Sequence, residues 1–356
     1  MKKKVMLAMS GGVDSSVALL LLKEKYDVIG VTLKLFDNED IGIKPSRTCC
    51  SLSDVEDAKS VAARCGIDHY TFNFKDIFKN TVIKNFTSSY IRGETPNPCI
   101  DCNKYVKFDE MLKRAVALGC DYLATGHYAR IEKDESTGRY LLKKALDETK
   151  DQSYVLYNLT QDQLSRILFP MGEMKKKDAR VLADSSQLVN ADKPDSQDIC
   201  FVPDGDYARF IEKYTGITQE EGNFVNSQGN ILGRHKGISH YTIGQRKGLG
   251  IAMGKPVYVV SINPEDNTVV LGDEKELMCD TLIAKNVNLI SIEELSAPFK
   301  CKARTRYKQV EQPCTLYPND DGTISVKFDT PQRAFTPGQA VVFYDGDVVV
   351  GGGTIS

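Results

Sequence analysis

The chain has 356 residues, 41% hydrophobic, 8% aromatic and 26% charged, which is enough apolar content for buried cores and too much for a disordered protein. Its length implies two or three domains, and 46 Lys and Arg against 48 Asp and Glu leave a net charge of −2, so no global basic field points to nucleic acid. No apolar run approaches the ~20 residues that span a bilayer.

The basic start Met1-Lys2-Lys3-Lys4 leads into the short apolar segment Val5–Met9 and then a Ser-Gly-Gly turn. That pattern reads as a first β-strand rather than a secretory signal, so the expected location is cytoplasmic, with no membrane partner. A helix over Val17–Leu22 follows, then a strand at Val28–Leu33. Ser53 is placed to N-cap a helix over Asp54–Cys65 that Gly66 ends. His69–Phe74 reads as a strand with Tyr70, Phe72 and Phe74 on one face, Val106–Leu118 as a helix stopped by Gly119, and Tyr122–Thr125 as another short strand. Alternating strands and helices predict a parallel sheet covered on both faces, an α/β domain over residues 1–203.

After Phe201 the texture changes. Helical periodicity mostly ends at Tyr214, and β-branched strands appear at Val257–Ile262 and Thr268–Leu271, in a small mixed domain over residues 204–279. From residue 280 to 356 the pattern is strand and turn: Cys301–Tyr307, Cys314–Tyr317, Thr323–Phe328, Ala340–Tyr344 and Val348–Val350, with turns at Asn319–Gly322 and Asp345–Asp347. This third segment is predicted to be an antiparallel β-barrel or sandwich.

The segment Ser10-Gly11-Gly12-Val13-Asp14-Ser15-Ser16 joins the first strand to the first helix. Two glycines let backbone approach an anion, and the hydroxyls and N–H groups of a helix start can cradle it. Asp14 would repel that anion unless a cation is shared, which points to Mg²⁺ between carboxylate and phosphates. The loop lacks the Gly-Lys-Ser/Thr ending of a Walker A motif and the Gly-x-Gly-x-x-Gly spacing of a dinucleotide site. It resembles the PP-loop of ATP pyrophosphatases, enzymes that split ATP into AMP and pyrophosphate.

Ten cysteines in a reducing compartment are expected to be mostly buried apolar side chains. Cys99 and Cys102, however, follow prolines in the polar run Thr95-Pro96-Asn97-Pro98-Cys99-Ile100-Asp101-Cys102-Asn103, and Cys200 ends Asp195-Ser196-Gln197-Asp198-Ile199. Accessible sulfur in such loops suits thiolate chemistry, whereas Cys49, Cys50, Cys65, Cys120, Cys279, Cys301 and Cys314 lack that context.

With these motifs the chain resembles the tRNA-specific 2-thiouridylase family. The resemblance runs nearly its whole length, through Ala124-Thr125-Gly126-His127-Tyr128, Lys150-Asp151-Gln152-Ser153-Tyr154, Gly244-Gln245-Arg246-Lys247-Gly248-Leu249-Gly250, Thr305-Arg306-Tyr307 and Thr336-Pro337-Gly338-Gln339. The resemblance implies that Ala8, Met9, Ser10, Gly11, Gly12, Val13, Asp14, Ser15, Leu33 and Gly126 contact ATP, that Cys102 is the nucleophile and that Cys200 carries a persulfide. It places tRNA against His127, Lys150, Asp151, Gln152, Arg306, Tyr307 and Gln339, and the target base against Asn97 and Pro98. Relatives often carry Asp after Asn-Pro where this chain has Cys99. The substitution opens a second reading, in which Cys99, Cys102 and Cys200 hold a [4Fe–4S] cluster.

Two basic stretches extend the RNA reading. Between Gly222 and Glu265 there is no acidic residue, where average composition would place about five or six, while Arg234, Lys236, Arg246, Lys247 and Lys255 lie there. Lys300, Lys302, Arg304, Arg306 and Lys308 alternate with other residues, which in a strand puts five cations on one face over about 26 Å. The expected activity is ATP-dependent 2-thiolation of the wobble uridine of tRNA, with ATP, Mg²⁺, tRNA and a sulfur-donor protein (a cysteine desulfurase or relay) as cofactors and partners. The alternatives are another PP-loop synthetase or ligase, which would need neither Cys102 nor Cys200, and a non-catalytic tRNA-binding protein.

Overall fold

The computed structural model describes residues 2–37, 52–194 and 199–356; Cys49, Cys50 and Asp195–Asp198 lie outside the described residues. The chain falls into two compact units. One comprises Met1–Val82, Cys99–Pro203 and Gly346–Val350, the other Ile83–Pro98, Asp204–Asp345 and Gly351–Ser356.

The first unit is built on five parallel strands: β1 (Lys4–Ala8), β2 (Asp27–Lys34), β3 (His69–Asn73), β4 (Tyr122–Ala124) and β5 (Ile167–Leu168), in the order β3-β2-β1-β4-β5. β1 is central, so Val5, Met6 and Leu7 are wholly buried, as its unbroken apolar run requires. After β1 the chain adds strands to one side, then returns to place β4 on the other. The C-terminal ends of β1 and β4 therefore form the crevice where open α/β sheets take ligands. Helix α1 (Val13–Lys23) starts there, and Val13, Val17, Ala18, Leu19 and Leu22 pack it into the core. These elements match the alternation read from sequence.

Three local expectations are corrected. Helix α2 (Leu52–Cys65) begins one residue before Ser53, which is therefore inside the first turn and not its cap. β3 stops at Asn73, one residue short of the expected Phe74; it is the sheet edge, where Tyr70 is 48% exposed and the Arg114 guanidinium lies over the rings of Phe72 and Phe74 at 5.4 and 4.7 Å. The prolines of Thr95–Pro98 do not lead into a loop. Pro98 opens the helical turn Pro98–Asp101, which continues through the wide-turned Cys102–Glu110 into Met111–Ala117.

In the second unit, Gly222–Val225, Ile231–His235, Tyr258–Asn263 and Thr268–Gly272 form a four-stranded sheet. Its core joins Phe224, Tyr241, Val259, Val269 and Leu271. Beyond it, Met278–Leu289, Ile324–Arg333, Gln312–Pro318, Phe299–Arg304, Ala340–Asp345 and Val348–Ile355 follow one another around a barrel. Pairing of Ala284 with Ile355 and Leu289 with Gly351 closes it. Closure leaves no open edge. The result is the antiparallel barrel expected from the strand-and-turn pattern.

The five-cation strand face is not formed. The strand ends at Arg304, after which the chain turns. Arg304 instead binds Glu311 at 2.6 Å and lies over Tyr344, and Arg306 donates to Ile243 O, Ala334 O and Thr336 Oγ1. Thr305 breaks the alternation because its N–H and hydroxyl are both satisfied by Gln309 Oε1 across the turn.

Candidate nucleotide and sulfur-transfer site

The loop after β1 is shaped by two close approaches. Gly11 has φ +73, and a Cβ there would lie 2.3 Å from Asp54 O. Gly126, just beyond β4, passes so near the start of α1 that a Cβ would lie 2.9 Å from Ser15 N. Gly12 caps α1 with its backbone alone, leaving the first-turn N–H groups directed at the crevice. The Ser15 and Ser16 hydroxyls donate to Gly12 O, so both brace the loop, and Ser10 remains exposed. Thr32 Oγ1 donates to Met9 O, fixing the end of β1 against β2, while Leu33 is half-buried beside it.

Residues distant in sequence hold the loop from behind. Asn190 is 3% exposed, and its amide donates to Gly11 O and to Ser16 Oγ, each at 2.9 Å. Lys193 reaches Gly11 O, Asp54 and Asp57. Burial works against its charge, but the hydrogen bonds it donates to the two carboxylates outweigh that and raise its pKa. Asp14 accepts from Lys176 Nζ at 2.7 and 2.8 Å and from Tyr128 Oη at 2.8 Å. Sequence reasoning missed Asn190, Lys193, Lys176 and Tyr128 as members of this site, since no local pattern links them to residue 14.

Several residues proposed to meet tRNA are engaged inside the protein. The His127 ring lies between Phe108 and Phe169, with Nδ1 2.7 Å from Thr125 Oγ1. Burial, with the Lys107 charge adding to it, holds its pKa well below the usual imidazole value. Asp151 is buried and accepts from Ala145 N, Ser153 N and Ser153 Oγ, and Gln152 Oε1 accepts from Tyr128 N. Lys150 is half-buried in the same turn, its N–H on Asp147 O. Cys102 is buried, Cys200 half-buried and Cys99 exposed. Among the described residues no three His, Cys, Asp or Glu side chains are grouped to hold a metal ion.

In the second unit, two motifs separated by about 240 residues meet. Gln339 Nε2 donates to Thr95 O at 2.7 Å, Thr95 N donates to Pro337 O, and Gly338 (φ +87) allows close passage beside Glu94 and Thr95. The Thr336–Gln339 turn thus fixes the approach to Asn97 and Pro98. Gln245 builds a second loop, accepting from Thr242 N and donating to Lys247 O, and presents Arg246 and Lys247 exposed. The rest of the acid-free stretch is partly neutralised: Lys255 pairs with Asp273, and His235 is buried on Asn267 O. Tyr307 is 37% exposed.

Three family models together match nearly the whole chain. The family model described as the tRNA methyl transferase HUP domain matches residues 3–204. Those described as the PRC-barrel domain of the same family and the aminomethyltransferase β-barrel domain match 208–273 and 279–355. A protein of Clostridioides difficile (strain 630) named tRNA-specific 2-thiouridylase MnmA is 56% identical over 356 residues, covering 100% of this chain and 98% of its own. The chain belongs to the tRNA-specific 2-thiouridylase family. Likewise named members from Acetivibrio thermocellus and Clostridium acetobutylicum are 56% and 53% identical, covering 99% and 100% of this chain and 99% and 100% of their own. A nucleotide-binding PP-loop at the β1–β4 crevice agrees with membership of this family.

Proposed function

We propose that this chain is a tRNA-uridine 2-sulfurtransferase that uses ATP. The observation that carries the proposal is the Ser10–Ser16 loop, set at the crevice of the parallel sheet with donors aimed outward, in a chain 56% identical from end to end to a named 2-thiouridylase. The uridine O2 attacks the α-phosphorus of ATP and pyrophosphate departs, so O2 becomes part of an AMP leaving group. Asp14 would hold Mg²⁺, which would supply charge neutralisation there. Sulfur from a Cys200 persulfide then attacks C2 and AMP leaves. Cys102 either releases that sulfur by attacking Cys200 Sγ or does so after the new C–S bond has formed; both routes leave a Cys102–Cys200 disulfide that an external dithiol must reduce.

Their burial supports Cys102 and Cys200 as the working pair, since one buried and one half-buried thiol suit transfer shielded from water. Arg246 and Lys247 supply phosphate contacts, and Asn97 and Pro98 face the base. The domains divide near residues 203 and 279, a sulfur donor delivers to Cys200, and the chain works in the cytoplasm. The deciding experiment is mass spectrometry of tRNA nucleosides from cells lacking the protein. Loss of wobble 2-thiouridine is expected; undiminished 2-thiouridine overturns the proposal. With purified protein, tRNA and ATP, the products should be AMP and pyrophosphate, and Asp14→Ala should remove both while tRNA binding survives. Release of ADP and phosphate instead would mean that a different bond is broken.

A further inference from the structure

Asp14 is a carboxylate in an anion-binding loop, and both of its oxygens are already taken. Lys176 Nζ lies 2.7 and 2.8 Å from them, and Tyr128 Oη donates to Oδ1. Lys176 is 8% exposed and opens the helix Lys176–Ser185, a position where a positive charge opposes the helix dipole. Burying an ammonium there is costly unless it is paired. The placement is held from two sides. Asp147 Oδ2 accepts from Lys176 N at 2.9 Å, and Tyr128 is fixed through Gln152. The second lysine of the site, Lys193, is spread over Asp54, Asp57 and Gly11 O and supports the back of the loop.

We infer that Lys176 is an exchangeable counter-ion. It neutralises Asp14 while the loop is empty, and it moves to the phosphates of the nucleotide once a divalent cation binds Asp14. The inference rests on the reading of the loop as an ATP site. The paired state removes the repulsion that a bare Asp14 would exert on an arriving polyphosphate. Release of the pair then provides a buried ammonium beside the helix start, where its next acceptors are phosphate oxygens. Lys176 is thus assigned a phosphate-binding role in the loaded state.

The test measures binding of a non-hydrolysable ATP analogue to the full-length protein, in EDTA and in Mg²⁺, by calorimetry. The variants are Asp14→Asn, which releases Lys176, and Asp14→Asn/Lys176→Met, which removes both charges and leaves no buried ion alone. In EDTA, Asp14→Asn should bind severalfold tighter than wild type, and adding Lys176→Met should weaken it at least tenfold. In Mg²⁺ the first change should reverse sign, with Asp14→Asn weaker than wild type because the cation has lost its carboxylate. Lys176→Arg should retain most of the affinity of wild type in Mg²⁺. If Lys176→Met lowers the melting temperature but leaves affinity unchanged in the Asp14→Asn background, the lysine is structural only and the inference is overturned. Failure of wild type to bind the analogue in either buffer would instead overturn the ATP reading, and this inference with it.

Discussion

Three of the four histidines are held neutral by their surroundings. Burial lowers the pKa of His69, His127 and His235, outweighing the hydrogen bond that Asn267 O offers His235. In the unfolded chain each titrates near its ordinary value of about 6.5. Between that value and the lower folded one, the unfolded state binds more protons. Stability is therefore full above pH ~6.5 and falls as pH drops below it, by up to about 1.4 kcal/mol per pH unit for each group. Thermal melts from pH 7.5 to 5 should show this slope, and His127→Phe should flatten it by up to one proton. An unchanged slope would mean that His127 protonates in the folded protein. At this scale the sequence was legible for local turns and illegible for burial. The turn at Ser10–Ser16 between a strand and a helix could be read directly because its shape depends on adjacent residues. His127, Asp151 and Arg306 were read as contacts for tRNA, whereas their side chains are engaged with Thr125, Ser153 and Thr336, partners that only folding supplies.

At the scale of elements, period-two spacing of charge was not enough to make a strand face. Lys300 and Lys302 lie exposed on the strand Phe299–Arg304, but Arg304 is committed to Glu311, with side-chain exposures of 14% and 11%. Removing one member of so enclosed a pair leaves an uncompensated charge, a loss of about 3–5 kcal/mol. Glu311→Ala should therefore lower the urea midpoint sharply. Lys255→Ala, whose ammonium and partner Asp273 both sit in solvent, should change stability by less than about 1 kcal/mol. Equal effects from the two substitutions would show that the turn after Arg304 relaxes to hydrate the arginine. The same strand explains the limit of the sequence reading: hydropathy located Cys314–Tyr317 within Gln312–Pro318 and the start of Ile324–Arg333 at Thr323 but stopped that strand short at Phe328, and the turn at Thr305 depends on a glutamine further along the chain.

Across the whole molecule, charge is nearly balanced, so the tRNA binding proposed above has to rest on local surfaces. Arg246 and Lys247 are exposed on a loop whose frame is made by Gln245, so reversing both to Glu should leave the fold intact. The double variant should weaken tRNA binding and flatten its dependence on log salt by about 0.7–0.9 for each lost phosphate contact. Retention of the full slope would assign the salt dependence to other cations. Class and order of the three sequence segments were legible because strand-helix alternation and strand-turn repetition are long-range patterns. The noncontiguous units were not, since nothing in Ile83–Pro98 marks it as packing with residues after 204: Phe86 meets Tyr207 and Phe210 only through aromatic contacts that have no sequence period.

Residues Gly346–Val350 belong to the first unit, where Asp347 binds Arg130 at 2.7 Å and Val348 pairs with Lys143. On a ribosome, which delivers the chain from its N-terminus, these partners of Arg130 and Lys143 emerge about 200 residues after them. The parallel sheet can assemble early, but in the hairpin Arg130–Lys133/Tyr140–Lys143 the Arg130 guanidinium has its Nε bond to Lys144 O and Glu173 nearby, while its Nη2 must wait for Asp347. A stalled nascent chain ending at residue 340 should accordingly be cut by protease within that hairpin, while one carrying the stretch to residue 350 outside the tunnel should resist.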